Sequence, residues 1–197
     1  MEPVRVVEGT AVPLDRSDCD TDQIIPSDWL KRVERTGFGR GLFAEWRDDP
    51  GFVLNRDECQ GATVLVAGPN FGTGSSREHA VWALQDYGFR AVVSCRFADI
   101  FRTNCTKVGL LPVQVEPEVA RKLLDAVAEN PDLQIEIDVH ARRVRTADGD
   151  VDAPFELDDF TQWRLLEGLD DIGLTMRHDD EIAAHESSRQ SWLPSTA

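Results

Sequence analysis

The chain has 197 residues, 41% of them hydrophobic, which is enough to bury one sizeable core and points to a single domain. Thirty-six acidic residues against twenty-one basic ones leave a net charge of −15, a field that repels nucleic-acid phosphates and anionic membrane surfaces. Met1–Arg5 carries no basic segment before an apolar core, and nowhere do about 18 apolar residues run together. The expectation is a cytoplasmic protein with no nucleic-acid or membrane partner.

In chain order, Val4–Val7 and Ala11–Leu14 read as short strands beginning a small β layer, followed by a polar, turn-rich stretch from Asp15 to Asp22. Residues 29–49 mix Lys31, Arg32, Arg35 and Arg40 with Gly37, Gly39 and Gly41 and hold no sustained period, which reads as a mobile basic loop. The apolar run Thr63–Ala67 is a buried strand, Gly68–Gly74 a turn, and Ser76–Asp86 a helix that Gly88 ends. Ala91–Cys95 is a second buried strand, leading through Ala98–Val108 to a third at Leu110–Val115. Strands and helices alternate as in a parallel sheet.

Pro117 opens a helix with Val119, Leu123, Leu124 and Val127 on one face. Gln134–Val139 alternates at strand period, with a partner strand at Arg142–Thr146. A last helix starts near Asp158 and turns Phe160, Trp163, Leu165 and Leu166 to the core. The organisation expected is one domain over 1–176 and a disordered tail over 177–197.

Cys19, Cys59, Cys95 and Cys105 are widely spaced with no C-x-x-C pair, so neither a zinc site nor a self-contained iron–sulfur site is legible; packed free thiols are the plainer reading. An EF-hand at Asp18–Asp20–Asp22 fails because Gln23 and Trp29 stand where glycine and the bidentate glutamate belong.

The informative segment is Gly68-Pro-Asn-Phe-Gly-Thr-Gly-Ser-Ser-Arg-Glu-His-Ala80, between a buried strand and a helix. Glycines admit close approach of a ligand, a helix start favours negative charge, and Arg77 adds a cationic fork, so the segment suits an anion. A P-loop needs Gly-Lys-Ser/Thr, whereas Gly74 precedes Ser75. A dinucleotide loop needs a third glycine where Arg77 stands. Ser75-x-x-Glu78 also fits a capping box, which would account for those two residues structurally.

Gly74-Ser-Ser-Arg-Glu-His-Ala80 resembles the signature of the aconitase superfamily's swivelling domain, and Asp20–Pro26 with Arg35–Gly39 are similar to the bacterial isopropylmalate isomerase small subunits. The resemblance covers residues 1–175. It implies an α/β fold, the three-layer swivelling β/β/α domain of the aconitase C-terminus. It further implies interconversion of 2-isopropylmalate and 3-isopropylmalate through 2-isopropylmaleate, a hydro-lyase reaction of leucine biosynthesis. The partner implied is a large subunit bearing a 4Fe-4S cluster, with no cofactor or metal ligand in this chain.

By position in the motif the resemblance makes Ser75 the catalytic base and assigns substrate contacts to Ser76, Arg77, Asp22, Arg32, Thr36 and Gly74. The plainer readings are a solvated turn for Asp22 and a solvated basic loop for Lys31, Arg32 and Arg35. Trp29, Leu30 and Phe38 line an apolar pocket or pack in the core, and His79 reads as structural. A homoaconitase or methylmalate isomerase small subunit, or a non-enzymatic module for carboxylate or phosphate, are the alternatives.

Overall fold

The computed structural model describes residues 1–31, 36–190 and 192. Two four-stranded sheets form its frame. Strands β2 (Ala11–Leu14), β3 (Val64–Ala67), β4 (Ala91–Ser94) and β5 (Leu111–Gln114) lie side by side in that order, all parallel. Every residue of β3 and β4 is buried, as a central parallel strand covered on both faces requires. The second sheet is antiparallel, ordered β1 (Val6–Gly9), β6 (Ile135–Asp138), β7 (Arg143–Thr146) and β8 (Asp152–Pro154). In β6 and β7 buried and half-buried residues alternate, one face on the core and one towards water.

Each face of the parallel sheet has its own core. Leu65, Ala67 and Val92 pack with Phe38, Phe71, Leu84 and Phe101 beneath helices α3 (Glu78–Tyr87) and α4 (Asp99–Val108). Val64, Val66, Val93 and Val113 pack on the other face against α5 (Pro117–Glu129) and the antiparallel sheet. In α5, Pro117 occupies the first turn, where its missing N–H costs no bond, and Ala120, Leu123, Leu124 and Val127 are its buried stripe. The layers are therefore helix, parallel sheet, antiparallel sheet.

Several expectations are corrected here. The two opening strands do not share a layer: β1 pairs with β6 and β2 with β3, and the chain changes sheet at Gly9, whose φ of 145° and approach to Thr63 leave no room for a Cβ. Within the stretch 29–49, expected as a mobile loop, the described residues form short turns, the end of Ser27–Lys31 and Phe38–Gly41, and the one-turn helix α2 (Ala44–Arg47), with another one-turn helix, α1 (Thr21–Ile24), just before it. Phe38, Leu42 and Phe43 are fully buried, and the Gly39 N–H donates to Asp86 on α3 at 2.8 Å. Turns carry apolar residues at irregular intervals, which hides a packed segment from periodicity. Arg32 and Arg35 lie outside the described residues.

Asp158 caps α6 (Asp159–Glu167), but only Leu165 and Leu166 of the four expected core residues meet the core closely, and Phe160 is 57% exposed. Beyond α7 (Asp171–Met176), where a disordered tail is expected, residues Asp179–Ser188 form helix α8 with every residue exposed. Asp179, Asp180 and Glu181 in its first turn suit the helix dipole, while its lack of an apolar stripe leaves it unpacked.

Candidate functional site

Helices α3 and α4 follow consecutive parallel strands and cover the same face, so both begin at the carboxyl end of the sheet. That edge is where open α/β sheets bind ligands. The loops there continue the pairing of the strands. Asp20 bridges Thr73 and Phe71 bridges Phe97 in parallel fashion, and the Gly72 N–H donates to the Cys19 carbonyl at 2.8 Å. The Thr21 hydroxyl donates to the Ser75 carbonyl at 2.8 Å. These bonds carry the motif loop to the first turn of α1, across 54 residues of sequence.

Two glycines make the loop possible. Gly72 has φ +78°, and a Cβ there would meet the Phe101 ring at 2.2 Å; Gly74 has φ +90°, a region L-residues avoid. A cleft of about 210 Å³ results, lined on one side by Gly74, Ser75, Ser76 and Arg77 and on the other by Ile100, Phe101 and Asn104 of α4.

The capping-box reading of Ser75 and Glu78 does not hold. Helix α3 starts at Glu78, two residues later than expected, with extended Arg77 as N-cap and no side-chain cap bond. Ser75 and Ser76 are exposed, and neither hydroxyl has a hydrogen-bond partner among the described residues. The box that does form is Asp20-x-x-Gln23 on α1: Gln23 N donates to Asp20 at 2.8 Å and Asp20 N to the Gln23 side chain at 3.0 Å. Aspartate followed three residues later by glutamine was the readable signal for it.

Arg77 is 16% exposed, its Nη1 held by Asp22 at 2.6 Å and by the Ile25 carbonyl at 3.4 Å. Its Nε and Nη2 edge has no partner among the described residues, leaving a two-point donor for a carboxylate. Asp22 thus meets the cleft through Arg77. Thr36 is exposed and does not line the cleft, and Lys31 pairs with Asp28 at 2.9 Å on the surface. Phe38 is core: it packs edge-on against His79 at 5.3 Å, which also meets Trp82 at 4.7 Å, making His79 a packing residue. Sequence reasoning missed Thr21 and the α4 wall, because only the topology sets them beside the motif.

Among the described residues no three His, Cys, Asp or Glu side chains are grouped to hold a metal ion. Burial, helped by Asp20, pushes the Cys19 thiol up to about 12, and full burial raises Cys105 well above its ordinary value, so both resist becoming the thiolates that iron needs. Also among the described residues, no helix is long and apolar enough to cross a membrane.

Comparison with known proteins places this geometry. The model of the aconitase C-terminal domain matches residues 1–118, that of the C-terminal domain of the 3-isopropylmalate dehydratase small subunit matches 171–195, and a LeuD_N model matches 121–159. The 3-isopropylmalate dehydratase small subunit of Frankia alni is 63% identical over 99% of both chains, and that of Rubrobacter xylanophilus 60% identical over 98% of both. The crystal structure of 3-isopropylmalate dehydratase from Methanocaldococcus jannaschii matches with a TM-score of 0.68 at 26% identity, covering 91% of this chain and 99% of that one. With the three-layer swivelling β/β/α fold of the aconitase C-terminal domain and relatives this similar along its whole length, the chain belongs to the family of 3-isopropylmalate dehydratase small subunits.

Proposed function

We propose that this chain is the small subunit of the cytoplasmic hydro-lyase that interconverts 2-isopropylmalate and 3-isopropylmalate through 2-isopropylmaleate in leucine biosynthesis, active when joined to its large subunit. The observation that carries the reading is the cleft itself, where two unpartnered serine hydroxyls and a half-engaged arginine converge at the carboxyl edge of the parallel sheet.

The reaction removes a carbon-bound proton beside a carboxylate while a hydroxyl leaves the neighbouring carbon. Ser75 Oγ, as an alkoxide, takes that proton and becomes a hydroxyl. The freed electron pair closes the carbon–carbon double bond as the neighbouring C–O bond breaks and releases hydroxide. That hydroxide together with the proton taken up by Ser75 makes the one water the dehydration yields, returning Ser75 to the alkoxide. Returning water to the other carbon completes the isomerisation. An alkoxide is a costly base in water, and Ser75 is exposed in the free chain. Docking of the large subunit over the cleft supplies the exclusion of water, and the uncapped start of α3 together with Arg77 stabilises the negative oxygen.

Arg77 takes a substrate carboxylate on its free edge, Asp22 holds the guanidinium in position, and Ser76 and the Gly74 backbone complete the anion contact. Arg32 and Thr36 remain candidates for contact from the neighbouring segment once substrate and partner are in place. The departing hydroxyl needs a Lewis acid, the chemistry that a 4Fe-4S cluster on the large subunit would supply when bound.

The test is anaerobic reconstitution with the large subunit of the same organism, followed by the ultraviolet absorbance of the unsaturated diacid. Turnover of 3-isopropylmalate by the pair, and by neither chain alone, is expected. Preference for homocitrate or citramalate would assign the related isomerases instead, and no turnover of any of these by a cluster-loaded pair would leave only a binding module.

A further inference from the structure

Asn104 lines the cleft as well. It lies within α4 and is 7% exposed, and its Nδ2 is, among the described residues, the one buried side-chain nitrogen or oxygen with no hydrogen-bond partner. Its neighbours on the helix are different: the Thr103 hydroxyl donates to the Asp99 carbonyl at 2.9 Å, and the Thr106 hydroxyl to the Thr103 carbonyl at 2.9 Å. Asparagine is a weak helix former, and a buried donor without an acceptor costs stability. Nor does this amide cap α3, whose N-cap has no side-chain bond. For the fold alone, a leucine would serve better.

We propose that Asn104 binds substrate, its side-chain amide donating to a carboxylate of the hydroxy dicarboxylate in the cleft, an assignment that rests on the function proposed above. Asn104 lines the same cleft as Ser75, Ser76 and Arg77. Carboxylate oxygens only accept, so such a ligand provides what Nδ2 lacks. A substrate with two carboxylates needs two anchoring points, and the cleft offers donors of different kinds on opposite walls. Arg77 is charged, and its free edge makes a two-point contact. Asn104 is neutral, and it is held in a rigid helix between the buried Phe101 and Cys105. A donor that is already desolvated and fixed needs little further ordering to engage the ligand.

The experiment uses the reconstituted heteromer with Asn104→Leu and Asn104→Asp. For Asn104→Leu the expected results are a melting temperature equal to or above wild type and a KM for 3-isopropylmalate raised roughly 10-fold or more, with kcat changed less than KM. Asn104→Asp keeps the shape and adds a negative charge, so its KM rises further. Unchanged KM in either variant, or a lowered melting temperature with unchanged KM, would overturn the assignment and make the amide a structural group. Isothermal titration of 3-isopropylmalate into the heteromer carrying Ser75→Ala, with and without Asn104→Leu, reads binding apart from turnover. The same loss, roughly 10-fold in Kd, is expected there. If wild-type heteromer turns over isopropylmalate and only these shifts are missing, the inference fails alone; if wild type has no turnover, the functional reading fails with it.

Discussion

The antiparallel sheet and the carboxyl edge of the parallel sheet treat their polar side chains in opposite ways. On the outer face of the antiparallel sheet, Arg143 pairs with Asp152 at 2.7 Å, and Arg145 with Glu136 at 2.7 Å and Asp152 at 3.3 Å. These cross-strand bonds hold the Asp152 carboxyl below its usual range. At the cleft, Ser75 and Ser76 have no partner among the described residues, Arg77 keeps one edge free, and Asn104 Nδ2 is buried unpaired. The charged groups of that sheet face are satisfied by one another across the strands. On the function proposed above, the unpartnered groups of the cleft are left for a ligand, and the two cores hold the frame that presents them.

Breaking that contrast has its largest effect at Ser75. In the reconstituted enzyme Ser75→Ala lowers kcat by roughly 10²-fold or more, through loss of the proton acceptor. Because Ser75 caps no helix, the melting temperature stays at the wild-type value; a fall of several degrees, or near-normal turnover, would contradict the role assigned to it. Leu123→Ala in α5 is the opposite case. Leu123 is fully buried between α5 and the sheets, so truncation costs about 2–5 kcal/mol in urea unfolding. Well below its melting point the variant keeps wild-type kcat, since α5 lies on the face away from the cleft.

The same division explains what the sequence made legible. Strands β3, β4 and β5 and helices α3 to α5 announce themselves by buried runs and by a 3.6-residue period, because a two-sided core leaves no choice of residue. The motif was legible for the opposite reason: two serines and an arginine after glycines make little sense as packing. Errors arise where non-local contacts decide. Strand β8 has three residues and depends on its pairing to β7, and Phe38, Leu42 and Phe43 are buried in the shared core without any period of their own. Ser75-x-x-Glu78 had the pattern of a cap but is stretched out by the parallel bridge at Thr73, while Asn104, 29 positions beyond Ser75, joins the cleft only through the repeated strand–helix topology.

A smaller effect sharpens the description of the cleft. Arg77→Lys keeps the charge and the pairing with Asp22, but loses the planar edge that makes a two-point bond. Loss of one charge-assisted hydrogen bond, about 1.5–3 kcal/mol, corresponds to roughly 10- to 150-fold in kcat/KM. A rise in KM with constant kcat would confine Arg77 to holding substrate, and a fall in kcat as well would tie it to the charge that develops on Ser75 or the substrate. Unchanged kcat/KM in a heteromer of matched iron content would remove Arg77 from the site.

The smallest effect belongs to a polar group already satisfied within the chain. Asp158 caps α6 by accepting from Thr161 N at 2.9 Å, and α6 in turn brings Leu165 into the core and accepts Val4 N at its carbonyl at 2.8 Å. Asp158→Ala removes the cap and costs about 1 kcal/mol with no change in kcat. The Thr161 backbone N–H first, and its side chain next, hold the Asp158 carboxyl below its ordinary value. A carboxyl depressed in the folded state contributes its full stabilisation above the unfolded value of about 3.9 and loses it as pH falls through the lower folded value. Urea midpoints of wild type and Asp158→Ala therefore differ by a constant amount from neutral pH down to about 4, and converge below it. Asp158→Asn, which caps without a charge, keeps most of the stability at neutral pH and loses the acid dependence assigned to this residue. A gap between wild type and Asp158→Ala that persisted unchanged far into acid would mean that the ionised carboxylate is not what holds the start of α6.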